Sequence, residues 1–281
     1  MNKKKLKIGL ITYRGNPSSG GQGIYINYLS RALSDLGHEV TVISGPPYPE
    51  IRKDIKLVKI PSLDLFSKKN KFLDVKFSKL FSLNNLKEWI SANSGGFPEP
   101  HTFGPRLEKF IEENAGQFDV IHDNQTLCKE LISLQQKLPL VTTIHHPITK
   151  DLEFQLKSTN DFFLKLLIKR WHSFIPTQIK VAKKLKKIVV PSESSGKDVV
   201  KDFSLKDASI EVVHNGIDLG FFYPSDKPYE DYKILSIASS DVPMKGLDFM
   251  IKAFPEIKKN YPKAKLSVLG KIRKEGHLSL I

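Results

Sequence analysis

The 281-residue chain has the composition of a folded globular protein, since 40% of its residues are hydrophobic and 26% are charged. Its net charge is +14, but only six of its 44 basic residues are arginine. Base readout and bidentate phosphate binding favour arginine, so this lysine excess does not indicate a nucleic-acid-binding protein. The single cysteine, Cys128, excludes an intrachain disulfide and favours a reducing compartment.

Predicted strands and helices alternate along the chain. An apolar run at 7–12 predicts a first strand, which leads through a glycine-rich turn into a helix whose apolar residues recur until Gly37 ends it. Further strands are predicted at 39–44, 55–60, 119–122, 140–145, 188–190 and 210–213, and helices at 106–114, 127–137, 195–203 and within 161–187, where Pro176 is expected to interrupt the helix. This alternation predicts an α/β fold with a parallel sheet flanked by helices.

Residues 62–105 interrupt this regular pattern with aromatic residues interleaved with lysines. Two interpretations remain open: local core packing, or a lobe that faces an acceptor or a membrane. The apolar run after the N-terminal lysines is too short for a secretory signal, and no run approaches the ~18 apolar residues of a membrane-spanning helix. Any membrane contact is therefore expected to be peripheral, and attraction to an anionic leaflet is the form that lysines favour.

A second domain is predicted to begin after a connection rich in proline and aromatic residues. A strand at 233–238, a helix at 246–260 and a strand at 265–269 form a new βαβ unit. We therefore divide the chain into domains 1–222 and 223–281. About fifty residues cannot close a doubly wound core, so the second domain is expected to be incomplete as given.

The glycine-rich turn at 15–23 lies where a doubly wound sheet presents backbone N–H groups to an anion. A P-loop would need Lys followed by Ser or Thr after Gly20, where this chain has Gly21 and Gln22. A dinucleotide fingerprint that starts at Gly21 would need Gly or Ala where Ile26 stands. What remains is a turn that another molecule can approach closely, or a plain flexible loop.

Several segments in the same order resemble the retaining glycosyltransferases of family 4, the glycogen synthase-like enzymes of GT-B fold. The segments are 20–25 with 29–33 and 36–42, then 118–122, 141–147, 188–194 with 212–218, and 244–249. The resemblance implies two Rossmann-like domains that face each other across a cleft, the first binding mainly the acceptor and the second the nucleotide sugar. It also implies that no cofactor and no metal ion are needed.

The resemblance assigns donor and catalytic roles to a few residues of this chain. Lys245 matches the lysine that neutralises the departing diphosphate, and Gly20 and Gly21 let a backbone approach the phosphates. Ser239 stands where the family usually has an arginine, which is a departure from the pattern. His145 matches the histidine at the end of a central strand, beside the transferred sugar; the alternative is a histidine bonded only to backbone.

Acceptor contacts are expected mainly at the C-terminal edge of the same sheet, where ligands of such folds bind. His146 is expected to point to the opposite side of the strand from His145, if the strand extends that far. Glu193 either contacts the acceptor or simply precedes a helix capped by Ser194 or Ser195. The full set of predicted acceptor contacts is Gln22, His122, Asp123, Asn124, His146 and Glu193. The pair His145-His146 could also suggest a metal site, but His122, Asp123 and His214 lack ligand spacing for one.

The resemblance implies transfer of a sugar from a nucleotide-diphosphate sugar to a glycan or lipid-linked acceptor, in surface polysaccharide synthesis. The setting would be cytoplasmic, with peripheral contact at the inner face of an anionic membrane and no nucleic-acid partner. The alternatives are a truncated, non-catalytic sugar-binding relative, a nicotinamide-dependent oxidoreductase, which the failed fingerprint disfavours, and a nucleic-acid binder, which only the charge suggests. The family's Glu-x7-Glu carboxylates would come after residue 281, so the polypeptide as given is expected to turn over negligibly.

Overall fold

The structure is a computed structural model, and the chain divides into two compact units, Met1–Ile217 and Asp218–Ile281. The residues that it describes are 4–17, 21–205, 210–226, 228, 230–237 and 246–270. Gly20, Ser239 and Lys245, which the sequence analysis assigns to the donor site, lie outside the described residues.

The first unit contains a seven-stranded sheet in which all paired strands are parallel. The strands are β1 (Lys7–Thr12), β2 (Glu39–Ser44), β3 (Lys56–Lys59), β4 (Val120–Asn124), β5 (Leu140–Thr143), β6 (Ile188–Val190) and β7 (Ile210–Val212). Their order is β3-β2-β1-β4-β5-β6-β7, so the order reverses between β1 and β4. Ligands of doubly wound folds bind in the crevice at this switch point.

Helices connect the strands and cover the sheet. They are α1 (Gln22–Asp35), α2 (Leu83–Asn93), α3 (Glu99–Glu113), α4 (Leu131–Lys137), α5 (Thr149–Lys157), α6 (Phe162–Trp171), α7 (Ile175–Ala182) and α8 (Glu193–Phe203), with a 3-10 helix at Phe77–Phe81. Along β1, Leu10 and Ile11 are both fully buried but belong to different core clusters. Because successive strand residues face opposite sides, the sheet is covered on both faces, as the sequence analysis predicts for α/β architecture.

Some element boundaries differ from the predicted ones for identifiable reasons. β4 continues through Asn124, and α4 begins only at Leu131. Between these two elements, Gln125 and Leu127 adopt positive φ angles of 51° and 48°, which are not helical. Pro176 lies in the first turn of α7, where a missing N–H costs nothing, so it begins a helix instead of breaking one. The helices α2 and α5 were not predicted, and α3 begins at Glu99, before the predicted start at 106.

Gly23 explains why the first strand–helix turn needs a glycine. A Cβ atom at this position would lie 2.3 Å from the carbonyl oxygen of Asn16 and 2.4 Å from that of Gly15. The turn therefore folds back over the first residues of α1, and only glycine permits that approach.

The second unit contains one βαβ arrangement, as predicted. β8 (Lys233–Ile237) and β9 (Lys265–Leu269) are parallel neighbours, and α9 (Leu247–Asn260) lies between them in the chain. In neither unit does the described part of the chain contain a helix that is both long enough and apolar enough to cross a membrane.

Candidate functional site

Polar side chains converge where β1, β4 and β5 end. The register pairs Ile11 with Asp123 between β1 and β4, and Asn124 with Thr143 between β4 and β5. Parallel strands end at the same edge of a sheet, so the residues that follow β5 lie beside those that end β4. The sequence predicted these residues at one C-terminal edge of the sheet, and the structure places them there.

His145, two residues beyond β5, is held on three sides. Its backbone N–H donates to Gln125 Oε1 at 2.7 Å, and its ring Nε2 lies 2.7 Å from Asn124 Oδ1. The ring of Tyr25, from the first turns of α1, meets the imidazole edge-on, with centroids 4.6 Å apart and planes at 83°. The imidazole is therefore fixed in position before any ligand binds.

The contacts of Asn124 determine which ring nitrogen of His145 carries the proton. Asn124 Nδ2 lies 3.4 Å from the carbonyl oxygen of Gln22, which can only accept a hydrogen bond, and 3.5 Å from Thr12 Oγ1. Asn124 Oδ1 therefore faces His145, and His145 Nε2–H donates to it. The other ring nitrogen, Nδ1, keeps its lone pair and has no hydrogen-bonding partner among the residues that the structure describes.

The same imidazole is neutral at physiological pH. Burial, with a smaller contribution from the neighbouring His146, lowers the pKa of His145 to about 4. Burial, with a contribution from His145, likewise lowers the pKa of His122 to about 4. The Nε2 atom of His122 lies 2.7 Å from Thr143 Oγ1, which is also 3.3 Å from the hydroxyl of Tyr25. Two neutral histidines and a tyrosine thus share this edge of the sheet.

Asp123 has a different environment from its neighbours. It is fully buried, and its carboxylate accepts hydrogen bonds from the N–H and hydroxyl of Thr126 and, at 3.4 Å, from the N–H of Leu127. Burial is the main cause that raises the pKa of this carboxyl to about 6. An acceptor contact was predicted for Asp123. In the structure its carboxylate instead stabilises the turn after β4.

Gln125 is a site residue that the sequence analysis did not identify. It is buried, and its side-chain amide accepts from the N–H of His145 and donates to the carbonyl of His146 at 2.8 Å. One side chain therefore ties the turn after β4 to the backbone after β5. Its only sequence signal was its place after the residues 122–124.

The remaining predicted acceptor residues lie around this group. Gln22 contributes its carbonyl to Asn124, and its side-chain amide lies 3.5 Å from the hydroxyl of Tyr13. His146 lies beyond the end of β5, so the predicted alternation of side chains along the strand does not apply to it. Its side chain is exposed, and its Nε2 atom lies 2.8 Å from Asp151 Oδ2. Glu193 is exposed as the first residue of α8, and Gly21 is exposed with φ 74° before α1.

The cap of α8 differs from the predicted one. Its N-cap is Ser192, whose hydroxyl accepts from the N–H of Ser195, so the prediction of Ser194 or Ser195 as the cap was wrong. Sequence periodicity locates the start of a helix only to within one or two residues, whereas the cap hydrogen bond identifies it.

A buried carboxyl group lies beside an arginine near the end of β1. Glu99, in the first turn of α3, is buried, and its Oε2 lies 3.4 Å from Arg14. Burial raises the pKa of Glu99 to about 8, and the nearby Arg14 opposes part of that rise. No group of three or more His, Cys, Asp or Glu side chains within the described ranges could hold a metal ion, and the absence of a metal requirement stays a prediction.

The fold and this edge define an α/β protein with a cluster of polar side chains at the switch point of a parallel sheet. Residues 19–221 match the family described as Glycosyltransferase Family 4. The chain belongs to that family, which confirms the resemblance drawn from its sequence segments.

Two relatives with assigned names are similar over most of the chain. An MMP alpha-(1->4)-mannosyltransferase of Mycolicibacterium hassiacum is 36% identical over 255 residues, which cover 90% of this chain and 62% of that protein. A phosphatidyl-myo-inositol mannosyltransferase of Mycolicibacterium smegmatis is 23% identical over 284 residues, covering 95% of this chain and 59% of that protein. The chain thus spans about three fifths of the length of these relatives.

Solved structures confirm the fold class. The catalytic domain of starch synthase IV from Arabidopsis thaliana, bound to ADP and acarbose, superposes on this chain with a TM-score of 0.57 at 13% identity. The superposition covers 96% of this chain and 69% of the starch synthase chain. A glycosyltransferase from Rickettsia africae superposes with a TM-score of 0.50 at 13% identity, covering 96% and 69%. Both support the α/β, GT-B-type architecture.

Proposed function

We propose that this protein is a retaining glycosyltransferase that moves a sugar from a nucleotide-diphosphate sugar to a glycan or lipid-linked acceptor. We further propose that the sugar is mannose, since the two named relatives are both mannosyltransferases. The setting that we propose is surface polysaccharide synthesis on the cytoplasmic side, with peripheral membrane contact.

The arrangement of His145 is the observation that carries this proposal. Its Nε2–H is engaged by Asn124, and a pKa of about 4 keeps the ring uncharged. The lone pair on Nδ1 can then accept a hydrogen bond from a sugar hydroxyl. A neutral imidazole in a fixed position suits a sugar-positioning role better than that of a general base, because a base with this pKa is weak at neutral pH.

The leaving diphosphate needs cationic or dipolar stabilisation in an enzyme that uses no metal. We assign this task to Lys245, with Gly20, Gly21 and Ser239 as further phosphate contacts, on the strength of the family resemblance. A lysine is a mobile point charge, which suits a phosphate whose negative charge grows as the glycosidic bond breaks.

For the acceptor we propose contacts from Gln22, His122, His146 and Glu193. Gln22 begins α1, His122 lies in β4, and His146 and Glu193 follow β5 and β6. Asp123 and Asn124 are left out of this set because both are fully buried and already hydrogen-bonded, Asp123 to Thr126 and Leu127 and Asn124 to His145. We propose instead that Asp123 positions the turn that carries Gln125 and that Asn124 positions His145.

The proposal is tested by a transfer assay on the gene product read to its natural stop codon, beside the 281-residue chain. Nucleotide-diphosphate sugars, mannosyl donors among them, are supplied with glycan and lipid-linked acceptors, and nucleotide diphosphate release and product anomeric configuration are measured. We expect turnover with one donor and a product of retained configuration. From the 281-residue chain alone we expect negligible turnover.

Two variants make this assay specific. His145→Ala should lower kcat/KM roughly ten- to hundred-fold, since it removes one hydrogen bond to the reacting sugar. His101→Ala is the matched control, because His101 is an exposed histidine of α3. If the whole gene product binds sugar but releases no nucleotide diphosphate from any donor, the non-catalytic alternative is correct instead.

A further inference from the structure

Arg14 lies two residues after β1, at the same edge of the sheet as His145. The hydroxyl of Thr12 donates to the carbonyl oxygen of Arg14 at 2.7 Å and lies 3.5 Å from Nδ2 of Asn124, the residue that bonds to the His145 ring. The guanidinium of Arg14 lies over the ring of Phe97, 5.8 Å from its centroid. Arg14 therefore borders the residues that we assign to the sugar and the acceptor.

The hydrogen-bond donors of this arginine are unused. The Arg14 side chain is 29% exposed, so most of it is removed from water. Its one ion-pair partner in the described part of the chain is Glu99, whose Oε2 lies 3.4 Å away but accepts no hydrogen bond. Within the described residues the guanidinium donates no hydrogen bond to any other group. A guanidinium has five N–H donors in a planar fork, so Arg14 keeps a full set of donors for a ligand.

The carboxyl group of Glu99 does not neutralise Arg14 at neutral pH. Glu99 is buried, and burial raises its pKa to about 8 although the nearby Arg14 opposes that rise. Most of the carboxyl is therefore protonated at neutral pH, and Arg14 is left as a largely buried cation beside an uncharged neighbour. Such a cation is unfavourable unless an anion reaches it.

We propose that Arg14 recognises an anionic group, a phosphate or a carboxylate, on the acceptor. A guanidinium binds either oxyanion through parallel N–H···O bonds, and the ring of Phe97 beneath it fixes its plane. The inference rests on the proposed function, because that function identifies the ligand of this edge as the acceptor. It adds the chemical class of that acceptor and the residue that distinguishes anionic glycans from neutral ones.

The test is an NMR binding titration of the full 281-residue chain, which requires neither a donor nor turnover. Three probes are compared: methyl mannoside, which is neutral, mannuronic acid, and mannose phosphorylated on its primary hydroxyl. We expect one anionic probe to bind roughly ten-fold more tightly than methyl mannoside, and its identity distinguishes carboxylate from phosphate. Arg14→Gln should remove that preference and change the affinity for methyl mannoside by less than about two-fold. Arg14→Lys should keep part of it, because lysine retains the charge but not the fork.

A pH series gives a result that a purely structural role of Arg14 would not give. The titratable and charged groups around Glu99 are Tyr13 and Arg14 after β1, Asp64 after β3, Glu88 of α2 and Arg106 of α3. As the pH rises through about 8, the Glu99 carboxyl ionises and competes for Arg14, so the affinity for mannuronate should fall. Tyr13 stays neutral in this range, because burial raises its pKa to about 12. In Glu99→Gln the affinity should stay constant, and equal pH dependence in both proteins would overturn the proposal.

Arg52→Gln is the matched control. The Arg52 side chain is 35% exposed and pairs with Asp35 and with Asp54, which precedes β3 at the opposite edge of the sheet. This variant should keep the wild-type preference. The proposal is overturned if the wild type shows no anionic preference, or if Arg14→Gln weakens all three probes equally. Anionic preference without sugar transfer by the whole gene product would leave this inference standing and refute the proposed activity alone.

Discussion

Gln125 offers the sharpest test of how the His145 site is built. Gln125 is 3% exposed and has a φ angle of 51°. Its side chain accepts a hydrogen bond from the N–H of His145 and donates one to the carbonyl of His146. Two substitutions separate these properties. Gln125→Ala removes both hydrogen bonds and keeps a Cβ atom in the left-handed region, whereas Gln125→Gly removes the bonds and relieves the backbone strain as well.

The magnitudes follow from these contacts. An orphaned N–H at the half-buried His145 costs about 1–3 kcal/mol, while the carbonyl of the exposed His146 can turn to water at little cost. We therefore expect Gln125→Ala to lower the free energy of unfolding by roughly 2–3 kcal/mol. A non-glycine residue in the left-handed region costs roughly 1–2 kcal/mol, so Gln125→Gly should be less destabilised than Gln125→Ala by about 1 kcal/mol.

Urea unfolding followed by tryptophan fluorescence measures both changes. The only tryptophans, Trp89 and Trp171, lie in the first unit, so their signal follows the unit that contains Gln125. Ser204 is the matched control: it is exposed at the end of α8 with φ 52°, and Ser204→Gly should stabilise by about 1 kcal/mol relative to Ser204→Ala. A wild-type unfolding midpoint for Gln125→Ala would refute this reasoning, and so would a Gln125→Gly variant less stable than Gln125→Ala.

Three further predictions follow from the same unit. Gly23→Ala should lower the free energy of unfolding in urea by about 3 kcal/mol or more, because the new Cβ meets two backbone carbonyl oxygens that cannot move independently of the turn. A loss below about 1 kcal/mol would contradict the close approach. In NMR titrations, the ring protons of His145 and His122 should change near pH 4, so midpoints near 6.5 would contradict their burial. Glu99 takes up a proton on folding between its ordinary pKa of 4.5 and its raised value of about 8, so its contribution to stability falls as the pH rises through that window. Glu99→Gln should therefore gain stability relative to the wild type from pH 5 to pH 8 in urea unfolding, and a constant difference would contradict the raised pKa.

The α/β architecture was predictable from sequence because apolar runs and helical spacing are local signals. β1, β2, β6 and β9 have the predicted bounds. The turn after β4 was not predictable from helical spacing. The positive φ angles of Gln125 and Leu127 accompany a local hydrogen bond from the N–H of Leu127 to Asp123 and a long-range one from the N–H of His145 to Gln125. Propensity treats such residues as helix formers, and these contacts override it.

The site was predictable in its location but not in its detail. Polar residues after neighbouring parallel strands had to meet at one edge, and His145 was identified there by resemblance. Which polar residues are buried depends on packing, so Asp123, which is fully buried, and the half-buried His122 looked equivalent in sequence. Gln125 and the pair of Arg14 with Glu99 carry no spacing signal, because their partners lie far away in the chain.

The central claim, that His145 positions the transferred sugar by one hydrogen bond, is tested most directly with deoxy-sugar donors. The kcat/KM of the whole gene product and of its His145→Ala variant would be measured with the natural donor and with a series that lacks each sugar hydroxyl in turn. We expect one deoxy donor to lower the wild-type value by about the factor that His145→Ala does, with no further loss in the variant. The account would be contradicted if the His145→Ala variant had the same kcat/KM as the wild type with the natural donor. It would also be contradicted if every deoxy donor lowered kcat/KM equally in both proteins.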